Sequence, residues 1–294
     1  MNGFIDLIKP PGMSSGGAVA FAKWLTGEKV GHAGTLDPEA SGVLPIMVGR
    51  ATRLLNFFSE KEKTYIAEIA FTGATDTQDA QGQITEEGKG KPDRESFLRV
   101  IHSMVGEIDQ CPPAYSALKR GGTPLYKLAR QGVEIKTEAR KTMIYAIDLL
   151  DETEEGYLIR VQCGGGTYIR TLCHDIGKKL GMPAHMKFLL RTQVGMFMIE
   201  QAVTMEELEE AKQNGTLESK MLPMDAPLEH LPRIDVDVKY EKQVRNGVAL
   251  PAKWLGAEGI EGPVRIYLKN ELLGIARNVD GNMKFHVILQ SQEQ

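Results

Sequence analysis

Between Val30 and Arg53 the chain reads VGHAGTLDPEASGVLPIMVGRATR, and its glycines and prolines dictate a shaped loop followed by an apolar run. Gly31, Gly34 and Gly42 admit positive φ or a close approach of other atoms. Pro38 biases Asp37 toward extended backbone. A lone carboxylate, Asp37, therefore sits on a stiff turn ahead of the run Val43 to Val48, with His32 five residues before it. Such a turn is costly to keep as a mere connection. A single positioned carboxylate can act as a covalent nucleophile without a cofactor.

The 294 residues suffice for one large domain and a small one. No apolar run approaches the roughly 18 residues of a membrane-spanning helix. The N-terminal stretch MNGFIDLIKPPGMSS lacks the charged-then-apolar pattern of a signal peptide. Cys111, Cys163 and Cys173 cannot all pair and form no C-x-x-C. They read as reduced, small buried hydrophobes in a cytoplasmic protein.

A net charge of −4 speaks against a polyanion partner, but its distribution speaks for one. Gln110 to Thr142 carries seven Lys/Arg against two acids, a balance of +5. Arg160 to Arg191 carries six against Asp175, again +5, whereas Glu200 to Asp237 has three bases against ten acids. Local fields decide polyanion binding. Each basic stretch alone is also compatible with an ordinary solvated face.

Local patterns place the elements. Ser14 or Ser15 caps a helix that ends near Gly27. TYIAEIAF (64–71) alternates like a half-buried strand. Phe97, Val100, Ile101 and Met104 mark a helix face closed by Gly106. YLIRVQC (157–163) reads as a strand, and after Gly164–Gly166 Thr167 is expected to cap a helix that stops at Gly181. Thr204 and Glu207 form a capping box. Prolines between Lys220 and Arg233 mark the approach to a second domain. There, VRIYLK, LLGIAR and MKFHVIL, with Asp280-Gly281 as a hairpin turn, suggest a small β-barrel.

Several chemistries are absent from the sequence. The six histidines show neither H-E-x-x-H nor Cys/His metal spacing, and there is no G-x-S-x-G elbow. The glycine-rich GHAGTLD and GGGTYIRT lack the Walker Lys-Ser/Thr pair. Gly164 to Thr171 suits a phosphate at a helix N-terminus or simply a tight strand-to-helix turn.

The motifs resemble those of the TruB family of bacterial tRNA pseudouridine-55 synthases. KPPGMSS (Lys9–Ser15) resembles the family's K-P-x-G-x-S-S, and GHAGTLDPEASGVLP its G-H-x-G-x-L-D-P-x-A-[ST]-G-V-L. KTY (Lys63–Tyr65), CPPAYSALKRGGTPLYKLARQG, GGGTYIRTLCHDIGKKLG and FLLRTQVG resemble further family segments, in the same order. Together they span roughly residues 5 to 195. Ala33 and Ser41 stand where threonine is frequent in the family, and both keep a small side chain.

The resemblance implies an α+β fold. Residues 1–230 would form a catalytic domain with a central mixed, mainly antiparallel sheet flanked by helices and an RNA-contacting insertion at about 110–142. Residues 231–294 would form a PUA-like β-barrel. It implies catalytic roles for Asp37 as nucleophile, Tyr65 packing against the target base, and Arg170 pairing with the aspartate. It assigns substrate contacts to His32, Tyr168, Leu189 and Asp79, and places Lys9 in a motif that buttresses the site and touches substrate. Lys119, Arg130 and Lys141 supply phosphate contacts from the basic run.

Tyr65 can stack on the base or accept H5, although a phenol with a pKa of about 10 is mostly protonated at neutral pH. Asp37 must be ionised, which an adjacent arginine favours. The expected partner is the T-arm of tRNA. No cofactor, metal, membrane or obligatory protein partner is expected, and the chain is expected to act as a monomer. Two alternatives share parts of this pattern: an RNA-guided pseudouridine synthase of the archaeal and eukaryotic type, and a non-catalytic tRNA-binding or tRNA-folding protein. The short stretch before the K-P motif favours the stand-alone enzyme over the first. The joint presence of Asp37, Tyr65 and Arg170 argues against the second.

Overall fold

A computed structural model describes residues 1–58, 62–116, 118–131, 133, 135 and 137–289. The chain begins β1 (Gly3–Lys9), α1 (Ser15–Thr26), β2 (Val30–His32), β3 (Ser41–Val48), β4 (Glu62–Ala70), β5 (Gly73–Thr75), β6 (Ile84–Glu87), α2 (Arg94–Ser103), β7 (Gly106–Gln110). It continues β8 (Lys119–Arg120), β9 (Thr123–Pro124), α3 (Leu125–Arg130), β10 (Arg140–Glu152), β11 (Gly156–Gly164), α4 (Ile169–Leu180), β12 (His185–Val194), β13 (Phe197–Met198), α5 (Met205–Gln213). The last part is β14 (Arg233–Asp235), α6 (Glu241–Arg245), β15 (Leu250–Pro251), β16 (Pro263–Leu268), β17 (Glu271–Val279) and β18 (Asn282–Ile288).

A large sheet is ordered β1-β3-β12-β4-β11-β10-β7, with β2 added to β3 and β13 to β12. Among the described residues its pairings are antiparallel except one, the parallel contact of β3 with β12 through Leu190–Ser41 and Arg191–Gly42. Gly42 adopts φ +106, and a methyl group there would lie 2.1 Å from the Arg191 carbonyl oxygen. Only glycine lets the two backbones meet this closely.

Side-chain spacing decides which helices cover the sheet. Ala18, Ala22 and Leu25 of α1, Phe97 and Ile101 of α2, and Leu172, Cys173 and Ile176 of α4 pack on Leu44, Ile46, Ala67, Ile69, Ile159 and Val161 of the strands. α1 starts and stops as its sequence dictates: the Ser14 side chain accepts the Gly17 N–H, and Gly27 closes the helix at φ 71. The Thr204–Glu207 capping box forms at α5. α2 reaches its C-cap at Met104, and Gly106 instead opens β7.

One expected cap is replaced. Thr167 does not cap α4: its hydroxyl donates to the Gly164 carbonyl at 2.9 Å and meets the Thr142 hydroxyl. Tyr168 occupies the N-cap, and its side chain makes no capping bond. The expectation of three buried cysteines also needs correction, since Cys111 is exposed and only Cys163 and Cys173 are buried.

The C-terminal sheet is ordered β14-β16-β17-β18-β15. It is the small PUA-like β-sheet that the strand pattern suggested, curled into a half-barrel. Asp280 and Gly281 turn β17 into β18 with φ 53 and 77, the double positive φ of a tight hairpin. Leu272 and Ile275 of this sheet share an apolar cluster with Leu54, from the segment that follows β3, and with Leu228, Leu231 and Leu289. Arg50 and Arg53 donate to the carbonyls of Leu289 and Ile288 at 2.7 and 2.8 Å. No helix among the described residues is long and apolar enough to cross a membrane.

Candidate active site

Asp37 lies on the loop between β2 and β3, and almost every turn of that loop is held by a side chain from elsewhere. The Ser15 hydroxyl accepts the Leu36 N–H at 2.9 Å and donates to the Leu36 carbonyl at 2.8 Å. Lys9 Nζ donates to the carbonyls of Pro10, Met13 and Pro38 at 2.7, 2.7 and 3.0 Å. Arg191 donates to Val43, Thr35 and Gly34 carbonyls at 2.8, 3.3 and 3.0 Å. The KPPGMSS stretch thus forms a cradle under the aspartate. Lys9, expected in part as a substrate contact, is 0% exposed and turned inward, so its ammonium braces the loop and cannot reach a phosphate. Burial pulls this amine down to about 8, with Glu39 and Asp37 opposing.

α4 brings Arg170 to the same place. Arg170 Nε lies 2.9 Å from Asp37 Oδ2 as an ion pair, and Nη2 donates to Asp37 Oδ1 at 3.3 Å. Nη1 sits 3.4 Å from Asp79 Oδ2 and donates to the Thr77 carbonyl at 3.1 Å, while Nη2 also donates to the Tyr115 carbonyl at 3.0 Å. The guanidinium side chain is 6% exposed and the Asp37 side chain 38%. A buried cation therefore backs a carboxylate that remains partly open to solvent and to a ligand. Asp79 is itself fixed, accepting from the Thr77 hydroxyl at 2.6 Å and the Gln81 N–H at 3.0 Å.

Tyr65, in the centre of β4, stands opposite Arg191 of β12 on one side and Val161 of β11 on the other. It is buried beside Leu189 in the main core cluster. Burial pushes its phenol up to about 12, with the Arg191 guanidinium pulling the other way. The ring is therefore un-ionised at neutral pH. Tyr168, at the start of α4, is half-buried, and burial also raises its phenol. His32 is half-buried in β2, opposite Ile46 of β3.

Of the remaining expected contacts, one side chain is described. Lys141 is exposed on β10 and pairs with Glu107 at 2.5 Å. The side chains of Lys119 and Arg130 lie outside the described set. Among the described residues no group of three or more His, Cys, Asp or Glu side chains could hold a metal ion.

Sequence reasoning missed two side chains. Arg191 was counted with a basic surface stretch, yet it is 0% exposed and grips the aspartate loop. Its signal was available: a lone arginine among the apolar residues of FLLRTQV. Arg170 was counted there as well, so two of that stretch's six bases are interior. Gln110 was passed over; it bonds both backbone groups of Tyr168.

Comparison with known proteins agrees with this architecture. Residues 22–169 match the model of the TruB family pseudouridylate synthase N-terminal domain, and residues 170–229 that of the tRNA pseudouridylate synthase B C-terminal domain. The chain is 43% identical over 296 residues to tRNA pseudouridine synthase B of Alkaliphilus oremlandii, covering 99% of this chain and 98% of that protein. It is 40% identical to the Clostridium perfringens protein of the same name, over 98% of this chain and 99% of that one. Among solved structures, a chain of a Cbf5-Nop10-Gar1 complex superposes with a TM-score of 0.76 at 28% identity, covering 99% of this chain and 86% of that one. With both family models matched in succession and full-length relatives at 40% identity or more, the chain belongs to the TruB family of pseudouridylate synthases.

Proposed function

We propose that this protein isomerises a uridine of tRNA to pseudouridine, at position 55 of the T-loop, with Asp37 acting as nucleophile on a flipped-out nucleotide. The observation that carries this reading is the Asp37–Arg170 pair at 2.9 Å, with a buried guanidinium and a carboxylate partly open to solvent. The reaction breaks C1′–N1, turns the uracil and joins C1′ to C5. H5 leaves as a proton and N1 gains one, so the balance needs no electrons, no added water and no cofactor. Attack on ribose C1′, removal of a ribose proton, and addition to uracil C6 all begin from the ionised carboxylate that Arg170 holds in one orientation.

Tyr65 supplies a flat, un-ionised ring for the base to pack on, and its phenol is too weak an acid to be the resting base for H5. Flipping the uridine costs a few kcal/mol, least in a loop. His32, Tyr168, Leu189 and Asp79 line the pocket that receives it. Lys119, Arg130 and Lys141, on an insertion spanning about 110–142, contact T-arm phosphates. The catalytic unit is residues 1–230, and residues 231–294 add a second RNA-contacting surface. The protein works in the cytoplasm as a monomer without an obligatory protein partner.

The test is conversion of unmodified tRNA by the purified protein, without guide RNA or accessory protein, mapped by carbodiimide primer extension. One modified uridine in the T-loop is expected. Its absence, or its appearance only when a guide RNA is supplied, overturns the reading. Asp37→Asn is expected to abolish turnover while tRNA binding persists. Retained turnover per bound complex removes Asp37 from the nucleophile role.

A further inference from the structure

We infer that Gln110 is a positioning residue for Arg170, holding the start of α4 from the root of the insertion. This inference rests on the isomerase reading above. A helix N-terminus leaves backbone N–H groups without partners inside the helix, and the side chain of Tyr168, the N-cap of α4, makes no capping bond to them. Gln110, the last residue of β7, is 3% exposed and fills that role from 58 positions away. Its Oε1 accepts the Tyr168 N–H at 2.8 Å and its Nε2 donates to the Tyr168 carbonyl at 3.0 Å. One planar amide thus engages both groups of one peptide residue, as a neighbouring strand would, and fixes both the height and the rotation of that residue.

The same Tyr168 carbonyl accepts the Leu172 N–H at 3.0 Å, in the first turn of α4. Arg170, two residues after the clamp, must place one guanidinium among Asp37, Asp79 and the carbonyls of Thr77 and Tyr115. Two further contacts reach this turn from the insertion's ends: the Thr142 hydroxyl meets that of Thr167, and the Tyr115 carbonyl accepts from Arg170. The insertion's root and the Asp37–Arg170 pair are therefore linked through α4. A displacement of about 1 Å at a reacting group is enough to cost on the order of 100-fold in rate.

Gln110→Met removes both bonds at nearly constant volume. Gln110→Glu keeps the length and the acceptor, and is read in its place if the methionine variant melts below the assay temperature. The measurement is the single-turnover rate constant at saturating enzyme on unmodified tRNA, beside the tRNA dissociation constant from filter binding. The expected result is a rate loss of about 30-fold to 100-fold for Gln110→Met, smaller for Gln110→Glu, with the dissociation constant changed less than about threefold. In an Arg170→Lys background the same substitution is expected to cost less than about threefold, because a residue acting through Arg170 has little left to lose. An unchanged rate, or an equal loss in both backgrounds, overturns the inference. Absence of turnover by the unsubstituted protein overturns the isomerase reading itself, so the two failures are distinct.

Discussion

Arg191→Met tests whether the aspartate loop is held from below. Arg191 donates to three carbonyls of the loop and its exit strand, two of the bonds well formed at 2.8 and 3.0 Å and a third longer at 3.3 Å. A hydrogen bond to a charged group contributes about 1.5–3 kcal/mol, so the two short ones represent roughly 3–6 kcal/mol. Removing a buried guanidinium also relieves its desolvation, which offsets part of that sum. The expected net loss of stability is about 3 kcal/mol, visible as a lower melting temperature.

The larger effect is on rate. With Gly34 and Thr35 released, the Asp37 carboxylate loses its register against Arg170, and a shift near 1 Å lowers the rate by on the order of 100-fold. Tritium release from 5-tritiated uridine in tRNA, under single-turnover conditions, measures this loss, and filter binding checks that tRNA affinity holds. Arg191→Lys is expected to rescue little, since one ammonium cannot replace a three-way fork. A variant that melts lower but reacts within about threefold of the parent would refute the view that Arg191 positions Asp37.

Tyr65→Phe keeps the ring and is expected to react within about threefold of the parent, whereas Tyr65→Leu loses stacking of about 1–3 kcal/mol and slows by roughly 10-fold to 100-fold. Equal losses in the two variants would make the hydroxyl itself a participant. Asp6, buried on β1, is pushed by desolvation up to about 7 from 3.8, the Met198 amide opposing. The native state therefore binds the extra proton between these values, so stability falls as pH rises through that window and stays lowered above it. Asp6→Asn removes a penalty of at most about 4 kcal/mol, so its gain in melting temperature is expected to be larger at pH 8 than at pH 5. A gain independent of pH would clear Asp6 of that role.

Local signals were legible where one short stretch decides the outcome. Ser14 and Gly27 bound α1, Thr204 and Glu207 cap α5, and Asp280-Gly281 turns the last hairpin, each because the determining atoms lie within a few residues. The Asp37 loop could be read for the same reason, its glycines and Pro38 being adjacent. Long-range pairings were harder to read. Gln110 and Tyr168 are joined across 58 positions and Arg191 and Gly34 across 157, and neither side chain type announces an interior backbone partner. Charge misled as well: Lys9 and Arg191 count as surface bases in any composition, yet carbonyl groups solvate both inside the protein. Thr167 had the right chemistry for a cap but found the Gly164 carbonyl and Thr142 first.

The bracing of the loop from Ala33 to Ala40 has a thermodynamic consequence for substrate capture. Fixing backbone costs roughly 1–2 kcal/mol per residue, so ordering this loop only when RNA arrives would take about 10 kcal/mol from the affinity. Ser15, Lys9 and Arg191 settle that cost during folding instead. On the proposed function, what then remains to be ordered at the encounter lies mainly on the RNA side, in a uridine that leaves its stack. If the proposed flipping of a T-loop uridine holds, selection among uridines falls to the nucleic acid's own willingness to open, and a loop nucleotide wins over a helical one before any base-specific contact is made.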